Sequence, residues 1–172
     1  ASLVVLYSLA GAPPKAICLN DGAVTLLGSG PQYYDTTFSC FKADDPPTGA
    51  KLIYIVGDGQ SLTPEYAGLN TTLLLTNAFT GGRGAAWDDR TRDVSAVLKA
   101  GDTSAKAKLS TASDALVWVA AILSVPVEVP TVTVTAYDAS AGESPLNVGK
   151  FRFTRTGPGT AAPLTVSYTR SG

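Results

Sequence analysis

The sequence predicts an all-β protein: a β-sandwich of jelly-roll or Greek-key type with an additional C-terminal strand module. Three observations predict it. The 172 residues include 20 Thr, 17 Gly and 11 Pro but only three Glu. Thr suits strands, Gly and Pro suit turns, and the usual exposed helix formers are scarce. Apolar residues recur with period two in several segments, the pattern of strands with one wet and one dry face. Turn clusters separate these segments at the short intervals of a sandwich. With 45% hydrophobic residues the chain has the composition of a folded protein, and its length holds one core plus an appendage.

Residues 2–9, SLVVLYSL, read as a first strand, stopped by Gly11, Pro13 and Pro14. No positively charged stretch precedes them, as one would in a secretion signal. Residues 16–19 and 23–27 read as two strands joined by Asn20-Asp21-Gly22, a hairpin signal because these residues tolerate positive φ. A turn at 28–31, a strand at 36–41 and a turn at 44–49 follow. Residues 51–56, KLIYIV, are nearly all apolar and read as a central strand covered on both faces. Residues 60–69 read as a loop carrying Pro64, and 71–76 as a strand. The stretch 77–92, NAFTGGRGAAWDDRTR, is the longest irregular segment, of a length that usually carries function. Residues 93–98 fit a short helix or a strand equally.

Residues 105–110 alternate cleanly, with Ala105, Ala107 and Leu109 inward and Lys106 and Lys108 outward, as in a defended edge strand. Residues 115–125, ALVWVAAILSV, form the most apolar strand, and its β-branched and aromatic residues favour β over helix. Trp118 in it belongs to the core. Pro126 and Pro130 bracket Val127-Glu128-Val129 as a stiff connector, which sets the boundary between a sandwich at 1–128 and a module at 129–172. Residues 131–136, 151–154 and 164–169 alternate as three tail strands. Three strands bury too little apolar surface to stand alone. The module therefore leans on residues 1–130 or on another molecule, with Phe151, Phe153, Leu164, Val166 and Tyr168 as its contact residues.

Charge and residue types exclude several functions. The net charge is −1 without a basic cluster, so neither nucleic acid nor an anionic membrane surface is an expected partner. The longest apolar run, 115–123, is far shorter than the ~20 residues that span a bilayer. Histidine is absent, which removes the commonest general base and metal ligand and rules out a Ser-His-Asp site within this sequence. Two cysteines cannot by themselves make a structural zinc site. No enzymatic activity is expected, because the three Glu offer little for paired-carboxylate glycoside hydrolysis.

Four features could carry function. Cys18 and Cys40 lie on neighbouring predicted strands and read as one disulfide rather than two buried thiols, which places the protein outside the cell or at its surface. Asn70-Thr71-Thr72 is an N-x-T sequon, either a glycan acceptor or an ordinary loop-ending Asn. Asp88 and Asp89, with further Asp at turns, could supply oxygen ligands to Ca²⁺, the one possible cofactor; Arg83, Arg90 and Arg92 beside them offer ion pairing instead. Trp87 in the long loop could stack on a sugar ring.

The tail also resembles the beginning of a Calx-β domain. TVTVTAYDASAGES, with Asp138, Ala139, Ala141 and Glu143, matches the opening strand. An F-x-x-x-R-x-G strand follows as Phe151, Arg155 and Gly157, and an L-T-V-x-Y-x-x-x-G strand as Leu164-Thr165-Val166, Tyr168 and Gly172. The resemblance covers about 42 residues. It implies an extracellular or exchanger-associated β-sandwich that commonly binds Ca²⁺, with Glu143 as the one ligand carried over. Residues 1–130 more loosely resemble uncharacterised secreted prokaryotic β-modules of large surface proteins. The expected function is an extracellular structural protein that self-associates through β-strand contacts into a filament or surface layer. The alternative is an adhesin-type module that recognises glycan or protein, with or without Ca²⁺.

Overall fold

The computed structural model describes residues 2–27, 32–61, 64–84, 86–112, 115–143, 146–157 and 163–169. The expected turn at 28–31 and Gly172 lie outside them. Among the described residues there is no helix, and the chain divides into two units, Ala1–Val127 and Glu128–Gly172.

The first unit is a sandwich of eight strands: β1 (Lys15–Leu26), β2 (Gln32–Phe38), β3 (Lys51–Gly57), β4 (Glu65–Leu69), β5 (Thr72–Thr76), β6 (Trp87–Asp93), β7 (Ala105–Thr111) and β8 (Leu116–Pro126). One sheet has the order β1-β8-β3-β6 and the other β2-β7-β4-β5, with every pairing antiparallel. The pairs β1–β8, β2–β7, β3–β6 and β4–β5 are those of one long hairpin rolled up on itself. That is a jelly roll.

Between the sheets lies the core. β3 contributes Leu52, Tyr54 and Val56; β8 contributes Leu116, Trp118, Leu123 and Val125; β7 contributes Ala105, Ala107 and Leu109. The β3 and β7 sets follow the period of two that points alternate side chains to one face; in β8 the inward parity switches between Trp118 and Leu123, where the register shifts against β1 and β3. The Tyr54 hydroxyl donates to the Gly68 carbonyl at 2.6 Å across the core. Its ring packs tilted on Trp118, with centroids 5.7 Å apart. Cys18 on β1 and Cys40 just beyond β2 form the expected disulfide, which ties the edge strands of the two sheets together. Closing a loop of this length contributes roughly 3 kcal/mol in the chain-entropy model.

Several expectations are corrected. Asn20-Asp21-Gly22 makes no hairpin turn: β1 runs through it with a bulge, because residues on both sides pair with β8. Gly22 has φ 133°, and the Asn20 amide donates to Thr36 Oγ1 at 2.7 Å and the Thr37 carbonyl at 3.1 Å on β2. Residues 65–69 form β4, although Gly68 and Glu65 disguise it. The irregular stretch ends near residue 86, since WDDRTRD is a strand whose charges hide its alternation. Residues 93–98 are neither helix nor strand beyond Asp93. They turn, with the Val97 and Leu98 N–H groups donating to the Val94 carbonyl at 3.0 and 3.1 Å. β7 is central rather than an edge strand: its lysines mark the solvent face, and Lys106 reaches Asp35 at 3.4 Å. Residues 2–9 belong to no strand, because no ladder partner flanks them.

In the second unit, β9 (Thr131–Asp138) pairs antiparallel with β12 (Lys150–Thr156), and a short pair joins β10 (Gly142–Glu143) to β11 (Leu146–Asn147). Residues 164–169, expected as a third strand, have no ladder assignment.

Candidate functional site: an apolar ribbon and its alternatives

The β9–β12 register sorts the ribbon into two faces. Phe151 lies opposite Ala136, Phe153 opposite Val134 and Arg155 opposite Val132, so these share one face. Arg152, Thr154 and Thr156 lie opposite Thr135, Thr133 and Thr131 on the other. The polar face is further dressed by the Arg152 guanidinium, 4.0 Å above the Tyr137 ring. A core should form over the apolar face, yet none of the described residues from 128 to 169 is buried. Phe151 is 72% exposed and Phe153 46%. Tyr168 is 71% exposed although its ring packs on Phe153 at a centroid distance of 5.3 Å, and Leu164 and Val166 beside it are open as well. All five expected contact residues are thus exposed, three of them on a segment with no ladder assignment. Val132, Val134 and Ala136 join the phenylalanines on this face and were not among the expected contact residues. Their alternation was visible, but the register that puts them beside the phenylalanines was not.

The loop candidates are engaged within their own unit. The buried Asp88 carboxylate accepts backbone N–H groups from Thr80 at 2.8 Å, Gly81 at 2.6 Å and Gly82 at 3.3 Å. Arg90 pairs with it at 3.1 Å. The Asp89 carboxylate pairs with Arg83 at 2.9 Å on the surface. Asp93 accepts the Ser95 N–H at 2.9 Å, and that bond, with the Ser95 hydroxyl, holds its carboxyl below the usual carboxylate range. Glu143 lies on β10 in the other unit, and its side chain is outside the described residues. Among the described residues no three Asp, Glu, Cys or His side chains cluster as a metal site.

Trp87 opens β6 opposite Gly57, and a Cβ on that glycine would meet the Trp87 ring at 3.6 Å. The indole N–H donates to Ser2 Oγ at 2.8 Å. Asn70 occupies the two-residue turn between β4 and β5 with φ 54°. Its side-chain oxygen accepts the Lys106 N–H at 2.9 Å, and its own N–H donates to the Lys106 carbonyl at 2.7 Å. The sequon therefore sits in a turn that extends the β4–β7 ladder. One cleft on the outer face of the β1-β8-β3-β6 sheet is lined by Arg83, Asp89, Arg90 and Arg92 beside Ile53 and Ile122, and of these Asp89 pairs with Arg83 and Arg90 with Asp88.

Fold and site together define an all-β, disulfide-bridged jelly roll followed by a small apolar ribbon. Comparisons with protein-family models, with curated proteins and with solved structures find no match to the chain.

Proposed function

We propose that this is an extracellular structural protein that assembles with copies of itself through β-strand contacts of the Glu128–Gly172 unit, giving a filament or surface layer. The observation that carries this reading is the uncovered apolar face of β9 and β12. A two-stranded ribbon is marginal in water and needs a packed face to persist. β9 and β12 each also have one edge without a ladder partner among the described residues. Such an edge is a template for strand addition, in which main-chain bonds give affinity and alternate side chains give specificity.

The magnitudes support association. Covering the exposed parts of Phe151, Phe153 and Tyr168 gains on the order of 10 kcal/mol at ~25 cal/mol per Å². Association costs roughly 4–15 kcal/mol, so these rings alone about offset it, and Val134, Leu164 and Val166 supply the surplus. A ribbon that docks on a different surface of the next copy makes a heterologous contact, which propagates. The disulfide fits an oxidising compartment, and no described helix is long and apolar enough to cross a membrane. The adhesin reading has less support, since Trp87 is packed on Gly57 and bonded to Ser2. Calcium has less support too, since Asp88 and Asp89 already hold donors.

Negative-stain microscopy of the full chain and of a chain lacking residues 128–172 tests the proposal. The full chain is expected to form extended polymers, and the shortened one a folded particle of discrete size. Polymers that persist without the ribbon would refute the reading.

A further inference from the structure

Residues 2–9 run along the outer face of the β1-β8-β3-β6 sheet, lining grooves with it. On that face Ile55, Ala120 and Ile122 form a buried cluster of their own, apart from the sandwich core. Ser2, Leu3 and Val4 line one groove with Ile53, Ile55 and Ile122, and Leu9 lines a second with Ile17. The face thus takes an extended apolar segment, and that segment is this chain's own.

Its attachment is slight. Among the described residues no backbone hydrogen bond ties 2–8 to the sheet, and the Trp87–Ser2 bond is a single side-chain contact. The arm itself leaves Leu3 88% and Tyr7 81% exposed, with Val5, Leu6 and Leu9 also open. At roughly 150–250 Å² per large side chain these five expose on the order of 600 Å², close to the ~800 Å² per partner of a standard interface. The arm joins β1 through a turn in which the Ala12 N–H donates to the Leu9 carbonyl at 3.1 Å and Gly11 has φ 79°. Pro13 and Pro14 follow, and both favour extended backbone.

We propose that residues 2–9 exchange between two copies, each arm lying on the partner's outer sheet face. The arm-to-sheet contacts are then the same as within one chain. Exchange opens the turn at Leu9–Ala12, and the approach of the two faces buries the exposed parts of both arms. Exchange of an identical element is a low-cost route to a dimer, and a reciprocal one closes on a two-fold axis. This contact is separate from the ribbon of the second unit and by itself gives dimers, not polymers.

The native cysteines are bonded to each other, so a single added cysteine is the one free thiol. Val4→Cys and Ile53→Cys, each made in the full chain carrying Phe151→Asp and Phe153→Asp, are mixed and oxidised gently after thermal melts confirm the parental fold. The expected product is a mixed disulfide dimer, identified by mass, that increases with protein concentration. A chain carrying both Val4→Cys and Ile53→Cys is expected to give covalent dimers. If that doubly substituted chain instead closes on itself and the mixture gives no mixed dimer, the arm stays on its own sheet and the proposal fails. Because the ribbon face is disabled throughout, neither result depends on the ribbon assembling.

Discussion

Tyr54 shows how one side chain ties the sandwich together. It is fully buried on β3, and its hydroxyl spans the core to the Gly68 carbonyl on β4. The approach there is tight: a Cβ on Gly68 would lie 2.6 Å from the Thr72 carbonyl oxygen. Burial pushes the phenol well above the ordinary tyrosine range, and the bond to Gly68 offsets this only in part. Below the unfolded pKa of about 10 both states keep the proton, so Tyr54 makes stability no function of pH there. Above it the unfolded chain loses the proton while the folded one holds it. Stability then falls by about 1.4 kcal/mol per pH unit until the folded phenol also titrates. Tyr54→Phe is expected to cost about 1 kcal/mol at neutral pH, from the lost hydrogen bond, and to flatten the alkaline decline. Urea midpoints across the alkaline range check this. An equally steep decline in the variant would contradict it.

At the scale of elements, Asp88 organises Thr80, Gly81 and Gly82 by gathering their three successive N–H groups and Arg90 on one buried carboxylate. Gly59 makes room for it, since a Cβ there would lie 2.7 Å from Asp88 Oδ2. Asp88→Ala strands those donors and the arginine and is expected to cost about 3–5 kcal/mol in urea unfolding. Asp89→Ala removes only an exposed pair and is expected to cost at most about 1 kcal/mol. Equal losses would mean that Asp88 does not hold the loop. The contrast between these neighbours was not legible in the sequence, where both were read as loop carboxylates. β3 and β8 were legible because both faces of each are covered by protein, so their apolar runs are unbroken. β6 was not, because its inward Asp88 and Arg90 are satisfied by the loop rather than by the core. The β1 bulge was misread because Asn-Asp-Gly chemistry serves a bulge as well as a hairpin. Residues 2–9 have the composition of a strand, but local pattern carries no information on whether a ladder partner exists.

At the scale of the whole molecule, every buried residue described belongs to the jelly roll, and the ribbon unit has none. The jelly roll wraps its eight described strands around one core. The ribbon carries apolar residues on one face and threonines on the other. Under the proposed reading a second copy of the chain covers the apolar face. The fold itself hosts many functions and decides none, so the reading rests on the ribbon. Sequence alternation had already marked Phe151, Phe153, Leu164, Val166 and Tyr168 as contact residues. That they are uncovered became visible only with the β9–β12 register and the missing third strand. Sedimentation velocity over a range of concentrations tests this most directly, comparing the full chain, its Phe151→Asp/Phe153→Asp variant and a Thr154→Asp control on the opposite face. The account predicts concentration-dependent polymers for the parent and the control, and a small species of discrete size for the phenylalanine variant. Polymers of unchanged size in that variant, or a parent that stays discrete at every concentration, would contradict it.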